Sequence, residues 1–133
     1  MAVYLLDTNH LSPLVTIGHP LRATVLQQSQ FGEQFAIAAP ALTEFLFGIQ
    51  VVPRAQQNLA EWGRLRPVMA VYQIEQSDAE FAAQLQLELR RRGWQLHTVD
   101  ALIAAIALRY DLTLLTTDKD FQAVPGLAQE NWI

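Results

Sequence analysis

Four short runs, VYLLD (3–7), FAIAA (35–39), VMAVYQI (68–74) and LTLLTT (112–117), are β-prone and almost wholly apolar instead of alternating in polarity. A strand that alternates can leave one face in water, whereas a strand apolar on both faces has to be covered on both. The stretches between these runs are long enough for helical crossovers, which joins the strands in parallel. The pattern predicts a three-layer α/β/α domain with a central parallel sheet, formed by residues 1–133 as one unit. With 51% hydrophobic and 17% charged residues, the chain has the composition of a globular core and not of a disordered segment.

Helical signals fill the gaps. TNHLSPLV can open a helix capped by Thr8 or Asn9, with Pro13 and Gly18 limiting its length. Pro40 suits a first helical position and leads ALTEFLF to a stop near Gly48; the segment from Pro53 to Leu65 also reads helical. SDAEFAAQLQLELRRRG repeats its apolar residues every three to four positions, with Ser77 and Glu80 spaced as a capping box and Gly93 as terminator. Thr98 is placed to cap DALIAAIALRY, and the tail from Phe121 is short and mixed.

The formal net charge of −4 argues against a nucleic-acid binder that works by bulk electrostatics, so any such contact has to be local. Lys119 is the only lysine, and the arginines that make up the other basic residues suit phosphate or carboxylate. The absence of cysteine excludes disulfides, zinc ribbons and thiol nucleophiles, and His10, His19 and His97 fit no zinc-ligand spacing. MAVYLLDTNH lacks a basic region before its apolar stretch, and no apolar run could span a bilayer, so a cytoplasmic protein without a membrane segment is expected.

Ligands of open parallel sheets collect beyond the carboxyl ends of the strands, near a switch in strand order. Asp7 ends the first run, Asp118 follows the last, and Asp100 opens the helix that precedes the last. Each acid alone has an ordinary role as turn former, cap or dipole partner. Together at one sheet edge they would repel and hold protons unless a cation sat among them, and carboxylates as sole ligands suit magnesium or manganese. Glu44 falls opposite the Leu42, Phe45, Leu46 and Ile49 stripe; periodicity makes it solvated, while its small and apolar neighbours Ala41, Phe47 and Gly48 suggest a second buried face.

The combination of LLDTNHL, TEFLFG, DALIAAIAL and LLTTDKDF, in that order, resembles the PIN-domain family and within it the VapC-type toxins. The resemblance runs nearly end to end and implies a metal-dependent endoribonuclease with Asp7, Glu44, Asp100 and Asp118 as its acidic cluster. Of these, Asp7, Asp100 and Asp118 are the implied metal ligands, with Mg2+ expected and Mn2+ as the alternative. Thr8, Asn9 and Thr116 match supporting positions, and Asp120 is a lesser candidate than Asp118 for the last acid. The resemblance further implies products with a 5′-phosphate and a 3′-hydroxyl, a VapB-like antitoxin and a homodimer. Lys119 and the run Arg90, Arg91 and Arg92 are candidates for steering RNA, although consecutive helical arginines fan around the axis and also complement a helix carboxyl end.

Two rivals differ in class. A phospho-acceptor receiver domain would need an acidic pair after the first strand and an Asp after the third; here Thr8 and Asn9 follow Asp7, and VMAVYQIEQ carries no Asp. A PIN fold kept only as a binding module would have no need of all the candidate acids.

Overall fold

The structure is a computed structural model and describes residues 2–133. Strands β1 (Val3–Leu6), β2 (Gln34–Ala38), β3 (Met69–Tyr72), β4 (Thr113–Leu115) and β5 (Gln129–Glu130) form a sheet in the order β3-β2-β1-β4-β5, with every pair parallel. Helices α1 (Thr8–Leu11), α2 (Pro20–Gln30), α3 (Ala39–Gln50), α4 (Ala55–Leu65), α5 (Gln76–Arg91) and α6 (Thr98–Arg109) flank it as the expected α/β/α layers. Among the described residues no helix is long and apolar enough to cross a membrane.

Apolar strands end up where water is excluded. Leu5 and Leu6 of β1, Phe35 and Ile37 of β2, and Leu114 and Leu115 of β4 are all buried. The edge strand β3 departs from this, because Ala70 and Val71 are exposed. Helix α6 is interior on nearly every side: Ala101, Ile103, Ala104, Ala105, Ile106 and Ala107 are all buried. Its alanines let backbone approach backbone, and cutting back either isoleucine would cost about 2–5 kcal/mol.

Local starts and stops correct several expectations. Helix α1 is capped by Asp7, whose side chain accepts from the Thr8 N–H, so neither Thr8 nor Asn9 is the cap. Helix α3 runs through Gly48 to Gln50, since a glycine inside an otherwise apolar helix costs only about 1 kcal/mol. The buried Asn58 amide takes up the orphaned Ile49 carbonyl at 2.8 Å. The capping box of α5 is Glu75 with Asp78, not Ser77 with Glu80. Gly93, with φ +77°, terminates that helix as expected. His97 occupies the cap position of α6, and Thr98 is its first residue.

Strand order fixes where ligands gather. The chain moves outward from β1 to β2 to β3, then crosses back to place β4 on the other side of β1. The switch point therefore lies between the carboxyl ends of β1 and β4, directly below Asp7 and the Thr116–Asp118 segment.

Candidate active site

Asp7 is the pivot of the edge. It is 4% exposed, and its backbone N–H donates to the Leu115 carbonyl at 3.0 Å, which ties the end of β1 to the end of β4. One carboxylate oxygen accepts from the Thr8 N–H at 2.9 Å. The other accepts from the Thr116 hydroxyl at 2.8 Å and from the Asn9 amide at 3.1 Å. These neutral donors hold the carboxylate in one orientation without cancelling its charge. Burial and the charge of Asp118 outweigh them, and the Asp7 pKa lies above the ordinary carboxylate value.

Asn9 joins the strand ends a second time: its side-chain oxygen accepts from the Thr117 N–H at 3.1 Å. The same oxygen lies 2.8 Å from His10 Nδ1. His10 Nε2 accepts from the Trp132 N–H at 3.1 Å, so the proton of a neutral ring sits on Nδ1 and is donated to Asn9. Burial of the fully enclosed ring lowers the His10 pKa to about 4, which keeps it in this neutral form. His10 was not among the candidates from sequence. The residue that fixes its tautomer lies 122 positions away, and nothing local announces it.

Asp118 caps the short 3-10 turn Lys119–Ala123 by accepting from the Asp120 N–H at 2.9 Å, while its own N–H donates to the Thr116 hydroxyl at 3.0 Å. Asp100 stands in the first turn of α6, half-buried. Burial, followed by the charges of Asp7, Asp118 and Glu44, pushes its pKa up to about 6; His97 opposes the shift. Glu44 is exposed on α3, which corrects the expectation of a second buried face. Its pKa is raised by burial of the carboxyl and by Asp7.

The four sequence candidates thus feel one another's charge across a single cleft. No arginine or lysine forms an ion pair with any of them among the described residues. The cleft acids also stop short of a closed cage, for among the described residues no three acidic or imidazole groups form a ready-made metal site. Oxygen-only donors carrying uncompensated charge fit a hard divalent cation held partly through water.

Of the remaining candidates, Asp120 enters through its backbone. Lys119 lines a groove of about 230 Å³ with Thr116, Asp118, Gln129 and Glu130. Arg90 and Arg91 end α5, Arg92 is its C-cap, and Arg90 lines a groove between α5 and α6 that the other two do not enter.

A family model of the PIN domain matches residues 4–127. The chain belongs to the PIN domain family. Ribonuclease VapC2 of Rickettsia felis is 24% identical to this PIN domain over 131 residues, 98% of each chain. Its fold is similar to that in the crystal structure of VapBC2 from Rickettsia felis bound to a promoter DNA fragment, with a TM-score of 0.86 at 23% identity over 98% of this chain and 99% of that one. It is also similar to that in DNA-bound VapBC from Salmonella typhimurium, with a TM-score of 0.82 at 23% identity over 100% of each chain. A toxin–antitoxin complex from Klebsiella pneumoniae superposes with a TM-score of 0.71 at 26% identity over 94% and 95% of the two chains.

Proposed function

We propose that this PIN domain is a magnesium-dependent endoribonuclease toxin of the VapC type. It would work as one domain over residues 1–133 in the cytoplasm and leave a 5′-phosphate and a 3′-hydroxyl. The observation that carries the reading is the set of mutually repelling carboxylates, Asp7, Glu44, Asp100 and Asp118, near the strand-order switch, with no arginine or lysine ion-paired to them among the described residues. The match to ribonuclease VapC2 over 98% of both chains supports the same chemistry.

In this reading Asp7, Asp100 and Asp118 hold magnesium, or manganese in its place. When bound, the ion supplies positive charge against the charge that builds on the phosphoryl oxygens during in-line hydrolysis. Thr116 and Asn9 aim the Asp7 carboxylate, and His10 fixes the orientation of the Asn9 amide behind it. Glu44, exposed in the cleft, is the carboxyl free to take the proton of the attacking water. Lys119, beside Asp118, is placed to meet an adjacent phosphate. A VapB-like antitoxin would silence the cleft, in keeping with the VapBC complexes that share the fold, and the toxin would form a homodimer.

The test is cleavage of single-stranded RNA by purified protein in magnesium, with Asp7→Asn and Asp100→Asn prepared alongside. Wild type should cut, and each variant should lose roughly 10²–10³-fold in rate. Equal cutting by the variants would mark a contaminant or a wrong site.

A further inference from the structure

A groove of about 760 Å³ lies between the carboxyl-terminal turn of α5 and the start of α6, lined by Gln86, Arg90, Trp94, His97 and Thr98 among others. One end of the groove reaches the first turn of α6, the turn that carries Asp100, because His97 caps that helix and Thr98 is its first residue. Trp94 links it to the acid cleft from the other side. Its indole Nε1 donates to the Asp120 carbonyl at 3.0 Å, and the Asp120 N–H donates to Asp118 at 2.9 Å. The indole is thereby pinned by one edge while the residue remains 37% exposed. Gln86 fixes the groove wall by donating to the Leu96 carbonyl at 2.9 Å and the Thr98 hydroxyl at 3.2 Å. Arg90 is exposed and makes no ion pair among the described residues.

An anchored aromatic face, an uncommitted guanidinium and a cleft at one end are the parts of a single-stranded nucleic-acid subsite. Bases stack on the ring whatever their identity, and the guanidinium meets the phosphate through two parallel donors. The groove beside Lys119 offers a cation for a phosphate but has no aromatic face in its lining on which a base could stack. In a chain of net charge −4, the local pairing of arginine and tryptophan is what sets the first groove apart.

We propose that this groove seats the nucleotide flanking the scissile phosphate, its base stacked on Trp94 and its phosphate held by Arg90. The assignment rests on the nuclease reading above and adds positioning residues to it. Trp94 and Arg90 thereby define where a strand enters the cleft.

The experiment is fluorescence anisotropy of a short single-stranded RNA and its abasic counterpart, titrated with the full chain in EDTA. Cleavage of the same RNA in magnesium is followed separately. Wild type should bind the RNA roughly tenfold or more tightly than the abasic strand. Trp94→Leu should lose that preference, and Arg90→Gln should weaken both strands alike. Trp94→Phe keeps a stacking face and loses the Nε1–H donor, so it should stay close to wild type. If the tryptophan served only to anchor the Asp120 loop, the phenylalanine would fail as badly as the leucine. Equal binding of RNA and abasic strand by wild type, no binding at all, or unchanged binding by both Trp94→Leu and the exposed-site Arg90→Gln would overturn the assignment. Base-dependent binding without any cleavage by wild type would sink the nuclease reading alone.

Discussion

The molecule buries acids in two ways. Asp78 and Glu61 are 2% and 5% exposed, close to the 4% of Asp7, yet each meets guanidinium. Arg109 reaches Asp78 at 2.7 Å, and Glu61 is gripped by Arg22 at 2.5 Å and Arg64 at 2.9 Å. Asp7 is met by a hydroxyl, an amide and a backbone N–H, all neutral. Nearby Asp100, Glu44 and Asp118 add only charge of the same sign. An acid buried with its own cation is a strut: its charge is spent inside the protein. An acid buried with dipoles alone keeps its charge directed outward, where a cation from solution can use it.

The largest expected contrast is in activity. Asp7→Asn removes the charge and leaves one accepting oxygen of two; relief of the repulsion among the acids offsets the lost acceptor, so RNA cleavage should fall roughly 10²–10³-fold while the protein unfolds at no lower urea concentration. Arg109→Met should do the reverse. It leaves the buried Asp78 carboxylate without its cation, with the Glu75 N–H still donating to it, so urea unfolding should register a loss of about 2–4 kcal/mol, with cleavage by the folded fraction unchanged. Activity lost in the second variant, or stability in the first, would erase the distinction between the two sets.

Acidity sharpens the comparison next. A carboxyl whose folded pKa is raised stabilises the fold fully below its unfolded value, near 3.8, and that contribution disappears as pH rises through the folded value. For Asp100 the window ends at about 6. In EDTA, wild type should therefore lose thermal stability across this range, and Asp100→Asn should lose less, keeping only the shares of Asp7 and Glu44. His10 has the opposite sign. Its folded pKa is lowered from 6.5 to about 4, so its contribution is present above 6.5 and drains away as pH falls toward 4. In Asp100→Asn this acid-side loss should stand out in a melting series over pH. The last contrast separates the two acids of the final segment: Asp118→Asn should lower cleavage roughly 10²-fold, whereas Asp120→Asn, which bonds to Asp118 and Trp94 through its backbone, should change the rate by less than about threefold.

Much of this geography was legible in the chain. Apolar strands in crossover spacing define a parallel sheet, and the sheet places Asp7 and Asp118 on neighbouring ends once β1 and β4 pair. What failed to show depends on distant partners. Ser77 with Glu80 and Glu75 with Asp78 share one spacing, and the choice between them is reinforced by Arg109, 31 positions beyond Asp78. Helix α2 buries only Leu21 and Val25, too few for a readable stripe, and β5 is two residues long. Glu44 was ambiguous because small and apolar neighbours imitate a buried face; Phe47 and Gly48 are in fact exposed beside it. The Trp94 groove left no mark in the sequence, since Trp94 becomes useful only when the Asp120 carbonyl arrives from 26 positions away.

Calorimetric titration with manganese at neutral pH tests the central claim most directly, run on wild type, Asp7→Asn and Arg109→Met. Wild type and Arg109→Met should take up the ion with equal affinity, and Asp7→Asn should bind at least tenfold more weakly. Equal uptake by all three proteins, or none by wild type, would contradict the assignment of the uncompensated acids to a cation.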